Sequence, residues 1–180
     1  MKQFAGEVLF LDRDDINTDE IIPAKYLTEN SKDALKPYLL EDLELQGFDP
    51  GRDIPGKGMI ISRRNFGCGS SREHAAWALE ENGIYVVAAE NFSRIFKQNM
   101  FNCGLPALEL PPAIIEEMFT LFAPAPPTYG ELDIDKSVLR LSAEADGAKI
   151  NREYAIKLSG FYKELIKVGG WVEFADTRYT

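Results

Sequence analysis

The stretch NFGCGSSREHA, residues 65–75, is the most informative part of this chain for both fold and function. Gly67 and Gly69 allow the backbone to approach a ligand closely. A helix that begins just after them would direct unpaired N–H groups and its positive end toward the loop, which favours an anion. Arg72 adds a planar guanidinium suited to a carboxylate. The stretch therefore predicts a carboxylate or phosphate site, although taken alone it fits a plain capped turn equally well.

Two familiar glycine-containing motifs are not present in this stretch. No Gly-Lys-Ser or Gly-Lys-Thr follows the glycines, so the loop is not a nucleotide-binding Walker loop. The Gly-x-Ser-x-Gly pattern of a nucleophile elbow is also missing.

Strand-like and helix-like segments alternate on both sides of the loop. Apolar or alternating runs predict strands at 4–11, 59–62, 84–89 and 105–110, and a hairpin over 131–156 that turns at 145–147. Capping residues predict helices at 32–38, 40–48, from Ser70 or Ser71 to about Asn82, after Asn91 over 92–101, at 111–122 and at 158–170. Residues 12–20 are expected to form an acidic loop and residues 123–131 a linker-like turn. This order predicts one mixed α/β domain over residues 1–180, whose last third completes the fold.

Composition limits the classes of partner and the compartment. The chain has 180 residues, 29 of them acidic and 20 basic, for a formal charge of −9. Such a surface argues against nucleic acid and anionic membranes as partners, and no apolar run is long enough to cross a bilayer. Only two cysteines occur, Cys68 and Cys103, so a disulfide framework is not expected and a cytoplasmic location is predicted.

Three segments, taken together, resemble one known family. They are INTDEIIPAKYL at 16–27, NFGCGSSREHAAWAL at 65–79 and ENFSRIFKQNMFNCGLPAL at 90–108. Their order is similar to that in the aconitase superfamily, and most similar to the small subunits of 3-isopropylmalate dehydratase and homoaconitase. The resemblance implies the aconitase-type swivelling β/β/α fold. It also implies a hydro-lyase that dehydrates and rehydrates a di- or tricarboxylic acid.

The resemblance also implies roles for individual residues. Ser70 corresponds to the catalytic base, and Ser71 and Arg72 to contacts with a substrate carboxylate. Asp19 corresponds to an acidic residue that orients a histidine of the partner. Lys25 is a candidate for a further substrate-binding cation.

The iron–sulfur cluster that dehydration of such a substrate requires is expected outside this chain. Expelling hydroxide from a tertiary alcohol needs a Lewis acid, and a 4Fe–4S cluster with an open iron needs three cysteine thiolates. This chain has two cysteines. We therefore expect no metal or cofactor in this chain and a large iron–sulfur subunit as its partner, in a heterodimer or heterotetramer.

The loop Tyr26–Glu29 bears on the choice of substrate. Homoaconitase-like relatives place an arginine after the Tyr-Leu pair, where this chain has Thr28 and then Glu29. A negative charge repels a third carboxylate, so 2-isopropylmalate, in leucine biosynthesis, is favoured over homoaconitate. Methylated malates stay open as alternatives.

Two other classes of protein stay open at this point. One is a phosphocarrier domain with a similar swivelling architecture, in which His74 would be phosphorylated. The other is a non-catalytic anion-binding or assembly subunit. We expect His74 instead to make a structural hydrogen bond that braces the loop, and Cys68 and Cys103 to be small buried side chains. The acidic residues at 12–20 lack the spacing of a calcium loop and are expected to serve turns and caps.

Overall fold

Seven strands form the centre of the structure, which is a computed structural model and describes residues 2–179. The strands are β1 Ala5–Leu11, β2 Lys57–Ser62, β3 Val86–Ala89, β4 Ala107–Glu109, β5 Tyr129–Asp133, β6 Val138–Ala145 and β7 Ala148–Ala155. They form one sheet in the order β4-β3-β2-β1-β5-β6-β7. The strands β1 to β4 are parallel to one another, while β5, β6 and β7 pair in antiparallel fashion. Because β5 pairs with β1, the last third of the chain extends the sheet that the first third begins.

Helices connect the parallel strands and close the chain. They are α1 Thr18–Ile21, α2 Pro50–Asp53, α3 Glu73–Glu81, α4 Arg94–Asn102, α5 Pro112–Phe122, α6 Gly160–Val168 and α7 Trp171–Tyr179. Two 3-10 helices lie at Ala24–Tyr26 and Asp33–Tyr38. Among residues 2–179, no helix combines the length and apolar character that a bilayer span requires.

Two of the parallel strands, β2 and β3, are buried along most of their length. All four residues of β3 are buried, and so are Met59–Ser62 of β2. Strands of parallel sheets show such continuous apolar runs, since the helices that connect them pack on the two faces. The run at 84–89 therefore predicts a strand correctly, and the mixed α/β prediction is confirmed.

The predicted hairpin is confirmed as β6 and β7. Asp146 and Gly147 form its turn, with φ of 51° and 77°. Positive φ at both central residues is the requirement of the tight hairpin turn that Asp-Gly favours. Strand β7 lies at the edge of the sheet, and most of its side chains are exposed.

The predicted helix at 40–48 is wrong. Leu40 adopts a left-handed conformation with φ of 57°, and its N–H donates to the carbonyl of Ile21 at 2.9 Å. This long-range contact fixes the backbone in a turn, so the helical pattern of the segment is not realised. A short helix forms just beyond it instead, as α2, which begins with Pro50 and is capped by Asp49.

The other differences lie at the ends of elements. The acidic loop 12–20 contains the start of α1, capped by Asn17, and the turn at 123–131 contains the start of β5. The closing helix predicted at 158–170 forms as α6, which Gly169 ends in a left-handed conformation with φ of 105°. The helix α7 follows it and was not predicted.

Two predicted helix caps are wrong for a common reason. Arg72 rather than Ser70 or Ser71 precedes α3, and Ser93 rather than Asn91 precedes α4. The carbonyl of Ser70 and the side chain of Asn91 both accept hydrogen bonds from distant parts of the chain. These tertiary contacts hold the residues outside the helices that they were expected to cap.

Candidate functional site

The loop that joins β2 to α3 lies at the carboxyl ends of the parallel strands. The segment 12–17 leaves β1 at the same edge, and the segment 90–93 leaves β3 there. Open α/β sheets bind ligands at this edge, where loops from neighbouring strands converge. The fold thus places the NFGCGSSREHA stretch where a site is expected.

Backbone contacts join this loop to the segment that follows β1. The N–H of Gly67 donates to the carbonyl of Ile16 at 2.8 Å, and the N–H of Thr18 donates to the carbonyl of Cys68 at 2.9 Å. The hydroxyl of Thr18 donates to the carbonyl of Ser70 at 2.7 Å. The middle and end of the loop are therefore held from one side by a short piece of backbone.

Asparagine side chains hold the beginning of the loop. The N–H of Asn65 donates to Oδ1 of Asn91 at 2.7 Å, and its side-chain amide donates to Oδ1 of Asp15 at 2.9 Å. Asn65 has a φ of 59°, a left-handed conformation that asparagine tolerates better than most residues. Residues 15 and 91 were not predicted to contact the loop, since their contacts form only in the folded chain.

Ser70 and Ser71 lie exposed at the beginning of α3. Among the described residues, no side chain caps this helix: Arg72 occupies the N-cap position with an extended backbone and makes no capping hydrogen bond. Both hydroxyls and the uncapped start of the helix are therefore open to a bound anion.

The structure brings Asp19 and Arg72 together. Nη1 of Arg72 makes a short ion pair with Oδ1 of Asp19 and also donates to the carbonyl of Ile22 at 3.4 Å. The side chain of Arg72 is only 10% exposed, whereas that of Asp19 is 60% exposed. The guanidinium is thus fixed at the end of the loop, with an acidic residue as its present partner.

Lys25 and Thr28 lie on the segment that follows α1 and are both exposed. Nζ of Lys25 is 3.9 Å from a carboxylate oxygen of Glu41 and lies over the ring of Tyr26. The segment is connected to α3 through His74, whose Nε2 lies 3.1 Å from the carbonyl of Glu29. The expected substrate-selecting loop is therefore tied to the helix that follows the two serines.

His74 has the bracing role that its position in the sequence favours, although it braces a different loop. Its Nε2 is bonded to the Glu29 carbonyl, and its ring lies 4.7 Å from that of Trp77. A phosphorylated histidine needs a free and accessible ring nitrogen. This packing gives the phosphocarrier hypothesis no support.

In the described part of the chain, the cysteines and the acidic side chains provide no metal site. Cys103 is buried and burial raises the pKa of its thiol to about 12, while burial followed by the charge of Asp15 raises the pKa of the half-buried Cys68. Over residues 2–179 there is no group of three or more histidine, cysteine or acidic side chains placed to hold a metal ion.

The helix α1 is fixed by a capping box. The side chain of Asn17 accepts from the N–H of Glu20, and the carboxylate of Glu20 accepts from the N–H of Asn17 at 3.2 Å. The same carboxylate makes a short ion pair with Arg13. Burial alone would raise the pKa of Glu20, but the hydrogen bonds from Arg13 and Asn17 lower it overall. The capping role that we expected in the acidic loop is thus confirmed for Asn17.

We expect Glu20→Gln to lower the free energy of unfolding at pH 7 by about 1–2 kcal/mol, through loss of charge-assisted hydrogen bonds. Because the pKa of Glu20 is lowered in the folded state, its contribution is complete above its ordinary value of 4.5. The contribution is lost as the pH falls through the lower, folded value. Urea unfolding measured between pH 3 and 7 should show a shallower acid dependence for the variant. An unchanged dependence would contradict this role of Glu20.

The seven-stranded sheet and the loop at its carboxyl edge agree with the aconitase-type swivelling domain that the sequence predicts. In agreement, the family described as the aconitase C-terminal domain matches residues 2–113. The chain is 39% identical to the 3-isopropylmalate dehydratase small subunit of Thermodesulfovibrio yellowstonii, over 92% of this chain and 89% of that one. It is 34% identical to the protein of that name from Aquifex aeolicus, over 92% and 90% of the two chains.

A solved structure agrees with these relatives. The crystal structure of 3-isopropylmalate dehydratase LeuD from Methanocaldococcus jannaschii matches with a TM-score of 0.73 and 27% identity, over 97% of this chain and 94% of that one. The chain therefore belongs to the aconitase C-terminal domain family and, within it, to the 3-isopropylmalate dehydratase small subunits. The resemblance and the fold class expected from the sequence are both confirmed.

Proposed function

We propose that this chain is the small subunit of a cytoplasmic hydro-lyase that interconverts 2-isopropylmalate and 3-isopropylmalate. The observation that carries the proposal is the exposure of Ser70 and Ser71 at the uncapped start of α3, beside the fixed guanidinium of Arg72. The names of the relatives support the substrate and the reaction. The domain that acts is proposed to span residues 1–180.

Substrate binding is assigned to the end of the loop. Arg72 offers two parallel N–H donors to a carboxylate, and the hydroxyl of Ser71 adds a third. A bound carboxylate has to compete with Asp19 for the guanidinium, which leaves Asp19 free to contact a group of the partner. We assign Thr28 and Lys25 to the other end of the substrate, where Thr28 and the neighbouring Glu29 fit an apolar side group better than a third carboxylate.

Proton removal is assigned to Ser70. A serine hydroxyl is too weak an acid to act as a base at neutral pH unless its alkoxide is stabilised. The start of α3 and the charge of Arg72 both stabilise an anion, each by about 1–3 kcal/mol. These contributions have to act together, in a site closed to water, for Ser70 to remove a proton from the carbon next to the substrate carboxylate.

The leaving hydroxyl needs an acceptor that this chain does not provide. The described residues offer no metal-binding group, and the pKa values of both thiols are raised. We therefore assign the Lewis acid to a 4Fe–4S cluster on a large partner subunit, in a heterodimer or heterotetramer.

A substrate panel on the complex reconstituted with the large subunit tests the proposal. We expect kcat/KM for 2-isopropylmalate to exceed that for homoaconitate and for citraconate-type acids, by at least about 10-fold for the loss of one well-filled apolar contact. Either subunit alone should be inactive. A preference for homoaconitate would contradict the substrate assignment, and activity of the isolated chain would contradict the need for a partner.

We expect Arg72→Lys to raise KM about 10–100-fold in this assay, because an ammonium group loses the paired, planar hydrogen bonds of the guanidinium. Arg64→Lys is a suitable control, since the side chain of Arg64 is 58% exposed and lies 3.8 Å from Asp14. The control should keep its KM within about 2-fold, as expected for an exposed ion pair. Equal effects of the two changes on KM would contradict the assignment of Arg72 to the carboxylate site.

A further inference from the structure

Thr18 is one of very few buried polar side chains in the described part of the chain. It is 2% exposed and is the first residue of α1. Buried hydroxyls need a hydrogen-bond partner, and in a helix interior a threonine hydroxyl commonly bonds to the carbonyl of the preceding turn. At the first position of α1 no such turn exists. The hydroxyl of Thr18 donates instead to the carbonyl of Ser70, 52 residues away, at 2.7 Å.

Thr18 holds the loop on both sides of Gly69. Its N–H donates to the carbonyl of Cys68 and its hydroxyl to the carbonyl of Ser70. Gly69 between them has a φ of 94°. A Cβ atom added at this position would lie 3.6 Å from Oγ1 of Thr18, an ordinary van der Waals contact. Two hydrogen bonds from one buried residue thus fix the peptide unit that precedes Gly69 and the peptide unit that joins Ser70 to Ser71.

The backbone of Ser70 determines where its side chain can reach. A serine hydroxyl has three staggered positions about a single torsion, so its location follows from the orientation of its own Cα–Cβ bond. Ser70 is exposed, and the contact that fixes its carbonyl comes from Thr18. The next residue of α1, Asp19, meanwhile holds the guanidinium of Arg72. The first turn of α1 therefore fixes both the proposed base and the proposed carboxylate contact.

We propose that Thr18 is a positioning residue for Ser70, acting through the hydrogen bond from its hydroxyl to the Ser70 carbonyl. This inference rests on the proposed function of Ser70. The hydrogen bond orients the Ser70 hydroxyl toward the substrate carbon, and substrate carboxylate binding does not depend on it. Loss of the hydroxyl therefore lowers kcat and leaves KM little changed.

The test compares two opposite changes of the Thr18 side chain in the reconstituted enzyme. Thr18→Val keeps the methyl group and loses the hydroxyl, whereas Thr18→Ser keeps the hydroxyl and loses the methyl group. We expect Thr18→Val to lower kcat about 10–100-fold, the effect of misplacing a reacting group by about 1 Å, with KM within about 3-fold. Thr18→Ser should keep at least about a third of the wild-type kcat, although the lost methyl group leaves a small cavity and lowers the melting temperature. If Thr18 had a purely structural role, kcat of the variants would instead fall in parallel with their melting temperatures.

A second pair of variants tests the inference if Thr18→Val does not fold. Thr18→Ser and Thr18→Cys both lack the methyl group and differ in the donor, a hydroxyl or a weak S–H group. We expect kcat of the cysteine variant to fall below that of the serine variant. Equal kcat values within either pair would overturn the inference. Ser70→Ala in the same assay separates the two proposals. If Ser70→Ala keeps full turnover, the proposed base is wrong. If Ser70→Ala is inactive while Thr18→Val has normal turnover, only the role of Thr18 is wrong.

Discussion

Replacement of Ser70 by alanine is expected to lower kcat about 10²–10⁴-fold in the reconstituted enzyme, the range that a general base contributes. In the proposed site, other groups bind the substrate carboxylate, so KM should change little. The side chain of Ser70 is exposed, so its loss should leave folding and assembly intact. Steady-state turnover of 2-isopropylmalate, together with gel filtration of the complex, measures both quantities.

Two other serines provide controls for this experiment. Ser31→Ala removes an exposed hydroxyl far from the loop in sequence and should behave like the wild type. Ser71→Ala removes a proposed carboxylate contact, so its main effect should be on KM. Turnover that survives Ser70→Ala would show that another group removes the proton.

Replacement of Gly67 by alanine is expected to give the largest loss of stability, about 2–5 kcal/mol. Gly67 has a φ of 79°, which costs an L-residue about 1–2 kcal/mol. A Cβ atom at this position would also lie 2.2 Å from Cγ of Phe96, a ring that is 2% exposed and packs edge-on against Phe66. Moving such a ring costs about 1–3 kcal/mol more. Urea unfolding measures the sum, a large fraction of the stability of a typical domain.

Gly83→Ala separates the conformational cost of a positive φ from the steric cost of the contact with Phe96. Gly83 has a similar φ of 74°, but a Cβ atom there would meet no other atom within 4 Å. We therefore expect only the conformational cost of about 1–2 kcal/mol. Similar losses for the two variants would mean that the contact between Gly67 and Phe96 adds nothing.

Local patterns predict much of this fold because they report on burial and on turns. The apolar run at 84–89 contains β3, Asp146 and Gly147 form the hairpin turn, and the proline-initiated segment 111–122 becomes α5. Each of these depends on neighbours within a few residues, which the sequence displays directly. The helix expected at 40–48 fails because the contact between Leu40 and Ile21 joins segments that are distant in sequence.

In the candidate site, too, local sequence patterns reveal some features and not others. Ser70, Ser71 and Arg72 are adjacent, and their types alone suggest an anion site. The contacts that hold them come from Thr18 and Asp19, about 50 positions earlier in the chain. Local patterns do not indicate that Thr18 bonds to the Ser70 carbonyl or that Asp19 pairs with the Arg72 guanidinium. Resemblance to a family placed Asp19 near the site but did not predict its pairing with Arg72. Positions that organise a site without touching its ligand are therefore found only in the folded chain.

Under the proposed function, the exposed position of Ser70 has a consequence for control of the enzyme. In the unassembled subunit, water hydrates this exposed side chain and competes for the N–H donors at the start of α3, so these donors stabilise an alkoxide only weakly. Covering the loop with a second polypeptide removes that water and strengthens every electrostatic interaction beneath it. Activation of the proposed base and arrival of the proposed acceptor for hydroxide would then coincide. We therefore expect an excess of either polypeptide to be inert.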